Sequence, residues 1–232
     1  MIPVLIVPIL NRWDMAERLL DSLDAPVERV VIVDNGCTGM QLPRATHYIR
    51  PILNLGFSGG INAAISQTPS APWWMWAGVD VTFAPGDLDA IADRMDTHAP
   101  RVVTGDRSDD RLLRFAYAAL NQQAIEAVGL LDEWNYYPAY FDDDDYEYRC
   151  RLGGVEWVTY NGNIEHERSV TIRSDASMAS ANARTFPMNA QRYAAKWGGL
   201  PGAESFTRPY DRPVPLDYTR PDLAGRARRV WK

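Results

Sequence analysis

Five short apolar runs, alternating with segments of helical periodicity, constrain this chain more than any other feature. Pro3 to Val7 reads as a buried strand, followed by a helix from Arg12 to about Leu23. Asn11 is the expected cap of that helix, with Met15, Leu19, Leu20 and Leu23 on its inner face. Val30 to Val33, His47 to Arg50, Trp73 to Ala77 and Arg101 to Gly105 repeat the strand signal. A small-residue helix ending near Gln67 and another from Gly86 to Thr97 fall between them. Strands that alternate with helices predict an α/β fold with a mostly parallel central sheet covered on both faces. In such sheets ligands bind outside the carboxyl ends of the strands. Asp34, the stretch Asn54 to Asn62 and Asp80 all fall at such ends.

After Gly105 the regular beat stops. Arg111 to Ala118, Val155 to Tyr160 and Asn163 to His166 read as strands. Asn121 is placed to cap a short helix to Val128, and Asn182 to Trp197 reads as a longer one with Tyr193 and Trp197 inward. The second half is therefore expected to complete the first rather than fold alone. Between these elements an aromatic run, Tyr136, Tyr137, Tyr140 and Phe141, leads into Asp142-Asp143-Asp144-Asp145. Four adjacent carboxylates repel, so something must offset them. A helix beginning here does so through its free amide groups and dipole, with Asp142 or Asp143 as the cap. Asp145 and Arg149 then form an i,i+4 pair.

The totals exclude some classes. The 232 residues carry a net charge of −6, which argues against broad nucleic-acid or membrane binding. Cys37 and Cys150 supply neither a disulfide framework nor metal-site spacing, and a reducing, cytoplasmic setting is expected. No apolar run reaches the roughly 18 to 20 residues that span a bilayer. The prolines after Pro201 discourage a helix until Leu223 to Trp231, where Arg226, Arg228, Arg229 and Lys232 form a basic end. That end is the one place where membrane contact is expected, and a docking helix or frayed terminus has the same composition.

Three further features carry candidate chemistry. Gly56-x-x-Gly59-Gly60 opening a helix lets backbone approach a phosphate or sugar, and equally serves a tight turn. It matches neither a dinucleotide fingerprint nor a phosphate loop. Asp80, at the end of a strand with three tryptophans, suits a hard divalent cation or an ordinary turn cap. His166, between Glu165 and Glu167, is either a surface histidine or a ligand through its neutral imidazole.

Together these stretches resemble the inverting family 2 glycosyltransferases with the GT-A fold, in particular the rhamnosyltransferase-like and galactofuranosyltransferase-like branch. The resemblance covers about residues 3–199. It rests on Val7-Pro8-Ile9-Leu10-Asn11-Arg12, Val33-Asp34-Asn35-Gly36, Asn54-Leu55-Gly56-Phe57-Ser58-Gly59-Gly60-Ile61-Asn62, Asp80, Phe141 to Asp145 with Arg149, His166, and Lys196-Trp197-Gly198-Gly199.

The resemblance implies a nucleoside diphosphate sugar donor and an acceptor glycan, protein or small molecule. Pro8, Asn11 and Arg12 would border the nucleotide, and Asp34 would bind its base. Arg50, Gly56, Gly59, Gly60 and Asn62 would line the diphosphate and donor sugar. Asp80 and His166 would hold a divalent cation, with Mn²⁺ favoured over Mg²⁺ by the nitrogen ligand. Asp143 would be the general base. Asp145 would either touch acceptor hydroxyls or be held by Arg149. Apart from the resemblance, the aromatic rings of Tyr136, Tyr137, Tyr140 and Trp134 suit stacking on acceptor sugar rings on that side, and equally suit core packing. Residues 1–199 would form the catalytic domain, with 1–105 holding the donor and 106–199 the acceptor, and 200–232 would be an extension. One departure stands out. The family usually places a further polar or acidic residue just before the metal-binding Asp, whereas Gly78 and Val79 occupy those positions here. That reduced set leaves a second reading, a catalytically quiet nucleotide-sugar binder on the same fold.

Overall fold

The computed structural model describes residues 1–96, 98–107, 112–168, 170 and 176–212. The first half runs β1 (Ile2–Ile9), α1 (Trp13–Asp21), β2 (Val27–Asp34), β3 (His47–Ile49), α2 (Gly56–Gln67) and β4 (Trp73–Ala77). It continues through β5 (Val81–Thr82), α3 (Asp87–Met95) and β6 (Arg101–Thr104). The second half adds β7 (Tyr117–Asn121), α4 (Gln122–Val128), α5 (Asp142–Gly153), β8 (Glu156–Thr159), β9 (Glu165–His166) and α6 (Ala176–Trp197). Seven strands form one sheet in the order β3-β2-β1-β4-β7-β6-β8, in which β7 runs antiparallel to both neighbours. β5 and β9 form a separate antiparallel ribbon.

Both faces of the sheet are buried, as the uninterrupted apolar runs require. Successive side chains of a strand point to opposite faces, so β1 divides its residues between two cores. Leu5, Val7 and Ile9 pack with Leu19 and Leu20 of α1 and Leu88 and Ile91 of α3. Val4 and Ile6 pack with Ile61 and Ile65 of α2 and with Tyr146 and Cys150 of α5. A third cluster, Tyr136, Tyr148, Tyr193 and Trp197, joins α6 to α5.

The topology sends the chemistry to one end. β1, β2 and β4 are parallel, so Ile9, Asp34 and Ala77 finish on the same edge. β7 enters at that edge, with Tyr117 paired to Ala77. β6 and β8 leave there as well, since Thr104 pairs with both Ala118 and Thr159. α5 leads into β8 from the opposite edge, so its N-terminal acids also lie at the carboxyl end of the sheet.

Several boundaries differ from the sequence reading. The strand expected over 111–118 is β7 at Tyr117–Asn121. The residues before it turn back, with Arg114 N–H donating to the Asp106 carbonyl and Ala116 N–H to the Leu113 carbonyl. Asn11 does not cap α1. Arg12 takes the capping position in the left-handed region, with φ 61°, and the Asn11 side-chain oxygen Oδ1 is buried without a hydrogen-bond partner. Asn121 does cap α4, accepting from the Ala124 N–H at 3.0 Å. Phe141 precedes α5 with φ 68°, so all four acids sit inside the first turn and neither Asp142 nor Asp143 is the cap. α6 begins earlier than expected and runs through Pro187. Among the described residues no helix is long and apolar enough to cross a membrane. The helix expected at 223–231 and its basic residues lie outside the described residues, as does Arg111.

Candidate active site

The β5–β9 ribbon exists for a definite reason in the sequence. Asp80 immediately precedes β5, His166 ends β9, and Val81 pairs with His166. The Asp80 carbonyl also accepts from the Glu167 N–H at 3.0 Å. Residues 86 positions apart are thereby brought together, and Asp80 Oδ2 lies 3.5 Å from His166 Nε2. Burial alone pushes the Asp80 carboxyl up, but the hydrogen bond and charge of His166 and the Val170 N–H bring it below the usual carboxylate range. Two donors bonded to one cation at about 2.1 Å each stand roughly 3 to 4 Å apart when adjacent, so the pair fits one hard divalent ion. Gly78 packs tightly here: a Cβ on it would lie 3.0 Å from Asp80 Oδ1.

On the other side of the sheet edge, the glycine stretch opens α2. Asn35, just past β2, accepts from Leu55 N–H at 3.1 Å and donates to the Gly56 carbonyl at 3.1 Å. Gly56 has φ +72°, and a Cβ there would sit 2.7 Å from the Pro138 carbonyl. Only glycine lets the loop approach so closely, and the Phe57 N–H then donates to that carbonyl at 2.8 Å. The result is a cleft of about 170 Å³ lined by Pro8, Asn35, Gly56 and Tyr140, and roofed by Met178 and Asn182 of α6. Among the described residues no charged side chain lines it.

The acidic turn of α5 lies at the same end of the sheet and is tied to α2 through Ser58. Three of its four acids pair with cations. Arg107 pairs with Asp143 and, at 3.0 Å, with Asp144. Arg114 pairs with Glu147, with Asp144 at 3.2 Å and with Asp143 at 3.8 Å. Asp145 is fully buried: Arg149 reaches it at 2.8 Å, Lys196 at 2.6 Å, and the Trp197 indole N–H at 2.8 Å. Lys196 also pairs with buried Asp132 at 2.8 Å, which holds that carboxyl down at about 2 despite its burial. Asp142 differs. Its side-chain partner is the neutral Ser58 hydroxyl, which donates at 2.7 Å from α2. Burial, and next the charge of Asp143, push its carboxyl up to about 7.

Residues 4–148, well over half of the chain, match the family model described as Glycosyl transferase family 2. The chain belongs to that family. No curated protein matches this glycosyltransferase by sequence. Among solved structures it is similar to TarS from S. aureus in complex with UDP, at 14% identity and TM-score 0.55, covering 85% of this chain and 72% of that one. It is also similar to glucosyl-3-phosphoglycerate synthase from Mycobacterium tuberculosis in complex with Mn²⁺, UDP and phosphoglyceric acid. That match has 14% identity and TM-score 0.54, covering 81% of this chain and 78% of that one. At such identities the likeness is one of fold, and it agrees with the mostly parallel GT-A sheet.

In the glycosyltransferase fold, Pro8, Gly56 and Tyr140 line the cleft, and Asp80 and His166 stand together. Gly59 and Gly60 lie inside α2, packed against Leu55 and against Asn35 with Val33 respectively. Arg12 is bonded to Asp14 at the surface. Asp34 is fully buried, accepting from the Thr38 and Gly39 N–H groups, with Arg50 at 3.7 Å. Arg50 itself donates to the Met40 carbonyl and lies over the Tyr48 ring. One expectation needs correcting, for Asn62, and the alternatives for Asp145 resolve to the Arg149 pair. Both N–H groups of Asn62 are spent on the Leu131 carbonyl and Glu133, so this side chain has none to offer a diphosphate; it clips α2 to the 131–133 loop. Asp145 is enclosed by cations and the indole N–H rather than facing an acceptor. Trp134 and Tyr137 are exposed, while Tyr140 packs edge-on against Phe186. Arg107, Arg114, Ser58, Asn35 and Asp132 were not singled out by sequence for these contacts, because each pairs with a segment remote along the chain or sits in an ordinary turn.

Proposed function

We propose that the chain is a metal-dependent inverting glycosyltransferase that moves a sugar from a nucleoside diphosphate donor to an acceptor hydroxyl. The observation that carries this reading is the 3.5 Å approach of Asp80 and His166 at the same sheet edge as the uncharged cleft and the acidic turn of α5. The neighbours support it. The M. tuberculosis synthase is found with UDP and either Mn²⁺ or Mg²⁺, and TarS with UDP-GlcNAc. The sequence motifs support the rhamnosyltransferase-like and galactofuranosyltransferase-like branch, and a histidine ligand would favour Mn²⁺.

Asp80 and His166 would hold the cation, which when bound offsets the charge on the departing diphosphate. The uncharged cleft beside Gly56 suits a neutral part of the donor, leaving the diphosphate to the Asp80 side. Asp143 takes the proton from the acceptor hydroxyl as it attacks the anomeric carbon from the opposite face. Arg107 and Arg114 hold that carboxylate in place in the meantime. Residues 1–199 act as the catalytic domain, with 200–232 an extension of it.

The test is transfer by Asp143→Asn against a panel of nucleotide sugars and acceptors. Removing a general base lowers transfer by about 10²- to 10⁴-fold while donor binding persists. Transfer near the wild-type rate would remove the assignment. The guanidinium pairs on Asp143 also fit the second reading, a quiet nucleotide-sugar binder, which calorimetric donor binding without turnover by the wild type would establish.

A further inference from the structure

The stretch Lys196-Trp197-Gly198-Gly199 at the end of α6 has no part in the chemistry above, yet its side chains are among the most enclosed in the molecule. Lys196 is completely buried, and its ammonium lies 2.8 Å from Asp132 Oδ2 and 2.6 Å from Asp145 Oδ1. Trp197 donates to the same Asp145 oxygen at 2.8 Å and packs edge-on against Tyr148 at 4.8 Å. The two acids bracket the aromatic segment 133–141. Asp132 orders its start, accepting from the Trp134 and Asn135 N–H groups at 3.2 and 3.1 Å and from the Asn135 side chain at 2.6 Å. Asp145 fixes its end, one turn into α5, and accepts from the Tyr136 hydroxyl at 3.2 Å inside the segment.

The remaining two residues of the stretch make the clamp possible. A Cβ at Gly199 would lie 1.9 Å from the Ala203 carbonyl, so glycine is needed for the chain to fold back. The returning Ser205 and Phe206 N–H groups then cap the Trp197 carbonyl at 3.0 and 2.9 Å. The Tyr148 hydroxyl donates to the Phe206 carbonyl at 2.8 Å, which closes the packing from the α5 side.

A buried cation between two buried carboxylates is expensive to desolvate and is weak evidence of stability for its own sake. Its clear consequence is geometric: one ammonium sets the distance between both ends of the segment that carries Trp134, Tyr137 and Tyr140 and leads into Asp143. We infer that Lys196 is a positioning residue for the acceptor side of this transferase, holding the 133–141 segment and the start of α5 in register. This rests on the transfer function proposed above, with that segment meeting the acceptor.

The experiment compares Lys196→Met with the milder Asp132→Asn, which keeps the size and an acceptor oxygen of Asp132 and leaves Lys196 paired with Asp145. Three quantities are read: amide hydrogen exchange along the chain, nucleoside diphosphate affinity, and kcat and KM for the acceptor. The expected result for Asp132→Asn is exchange over 133–141 faster by about tenfold relative to β1 and β2. Acceptor KM rises severalfold, while nucleoside diphosphate affinity stays within about twofold of wild type. Exchange over 133–141 that rises no more than in β1 and β2 would overturn the inference. So would an acceptor KM that stays put, or a donor affinity that falls as far. Absence of transfer by the wild type would sink the proposed function and the acceptor role together, while the exchange data alone would still decide whether Lys196 clamps the segment.

Discussion

Asp142→Asn should make the protein more stable above neutral pH than the wild type, by an amount that depends on pH. Asp142 is enclosed at the start of α5, and burial together with the charge of Asp143 moves its carboxyl from the ordinary 3.8 to about 7. The Ser58 hydrogen bond opposes that shift without cancelling it. The folded chain therefore holds a proton here that the unfolded chain has released. Stability from this group is fully present below about pH 3.8 and is lost as pH rises through about 7. Roughly three pH units at about 1.36 kcal/mol each place the ceiling near 4 kcal/mol, and the pairing with Asp143 reduces the share belonging to Asp142. Asparagine is uncharged and keeps an acceptor for Ser58. Urea unfolding of both proteins at pH 4 and pH 8 measures the effect, with m unchanged. The gap between variant and wild type should widen in the variant's favour by about 2 to 4 kcal/mol between the two pH values. Equal gaps, or a wild type that gains, would refute the reasoning, because other titrating acids cancel in the difference.

Asp80→Ala should abolish any enhancement of nucleoside diphosphate affinity by Mn²⁺, measured by calorimetry with and without the ion, while metal-free affinity is kept. Affinity in the variant that still rises with Mn²⁺ would remove Asp80 from the cation site. Gly56→Ala should cost about 1 to 3 kcal/mol in denaturant unfolding, because an alanine there has both a positive φ and the Pro138 carbonyl against it.

The first half of the fold was legible because its signals are local. Continuous apolar runs announced β1, β2, β4 and β6, and Asp34 after β2 and Asp80 after β4 marked the working edge of the sheet. The second half was harder. β7 inserts antiparallel between β4 and β6, and nothing in Tyr117 to Asn121 encodes which neighbours it joins. Phe115 adopts φ 57°, which interrupts the strand expected over Arg111 to Ala118. At the site, Asp80 and His166 were legible as a pair through resemblance, and the ribbon between them was not, because two residue pairs are too short for a periodic signal. The acid run posed its own question of what balances four adjacent charges. The answer lay in Arg107, Arg114 and Lys196, each too far along the chain for spacing to disclose. Asn62 and Asp145 looked like binding residues because they stand in the right motifs, and burial assigned them to internal bonding instead.

The imidazole reaches its partner on a ribbon of only two pairings, Val81 with His166 and Thr82 with Glu165, and that ribbon forms no part of the seven-stranded sheet. Assembly of the scaffold and the meeting of Asp80 with His166 are therefore separable events. A descendant that shortened or slipped this ribbon by one residue would turn the imidazole away and keep its core intact. Such a protein would fold as well as its ancestor, so the loss of this pair would be hard to detect from core residues alone.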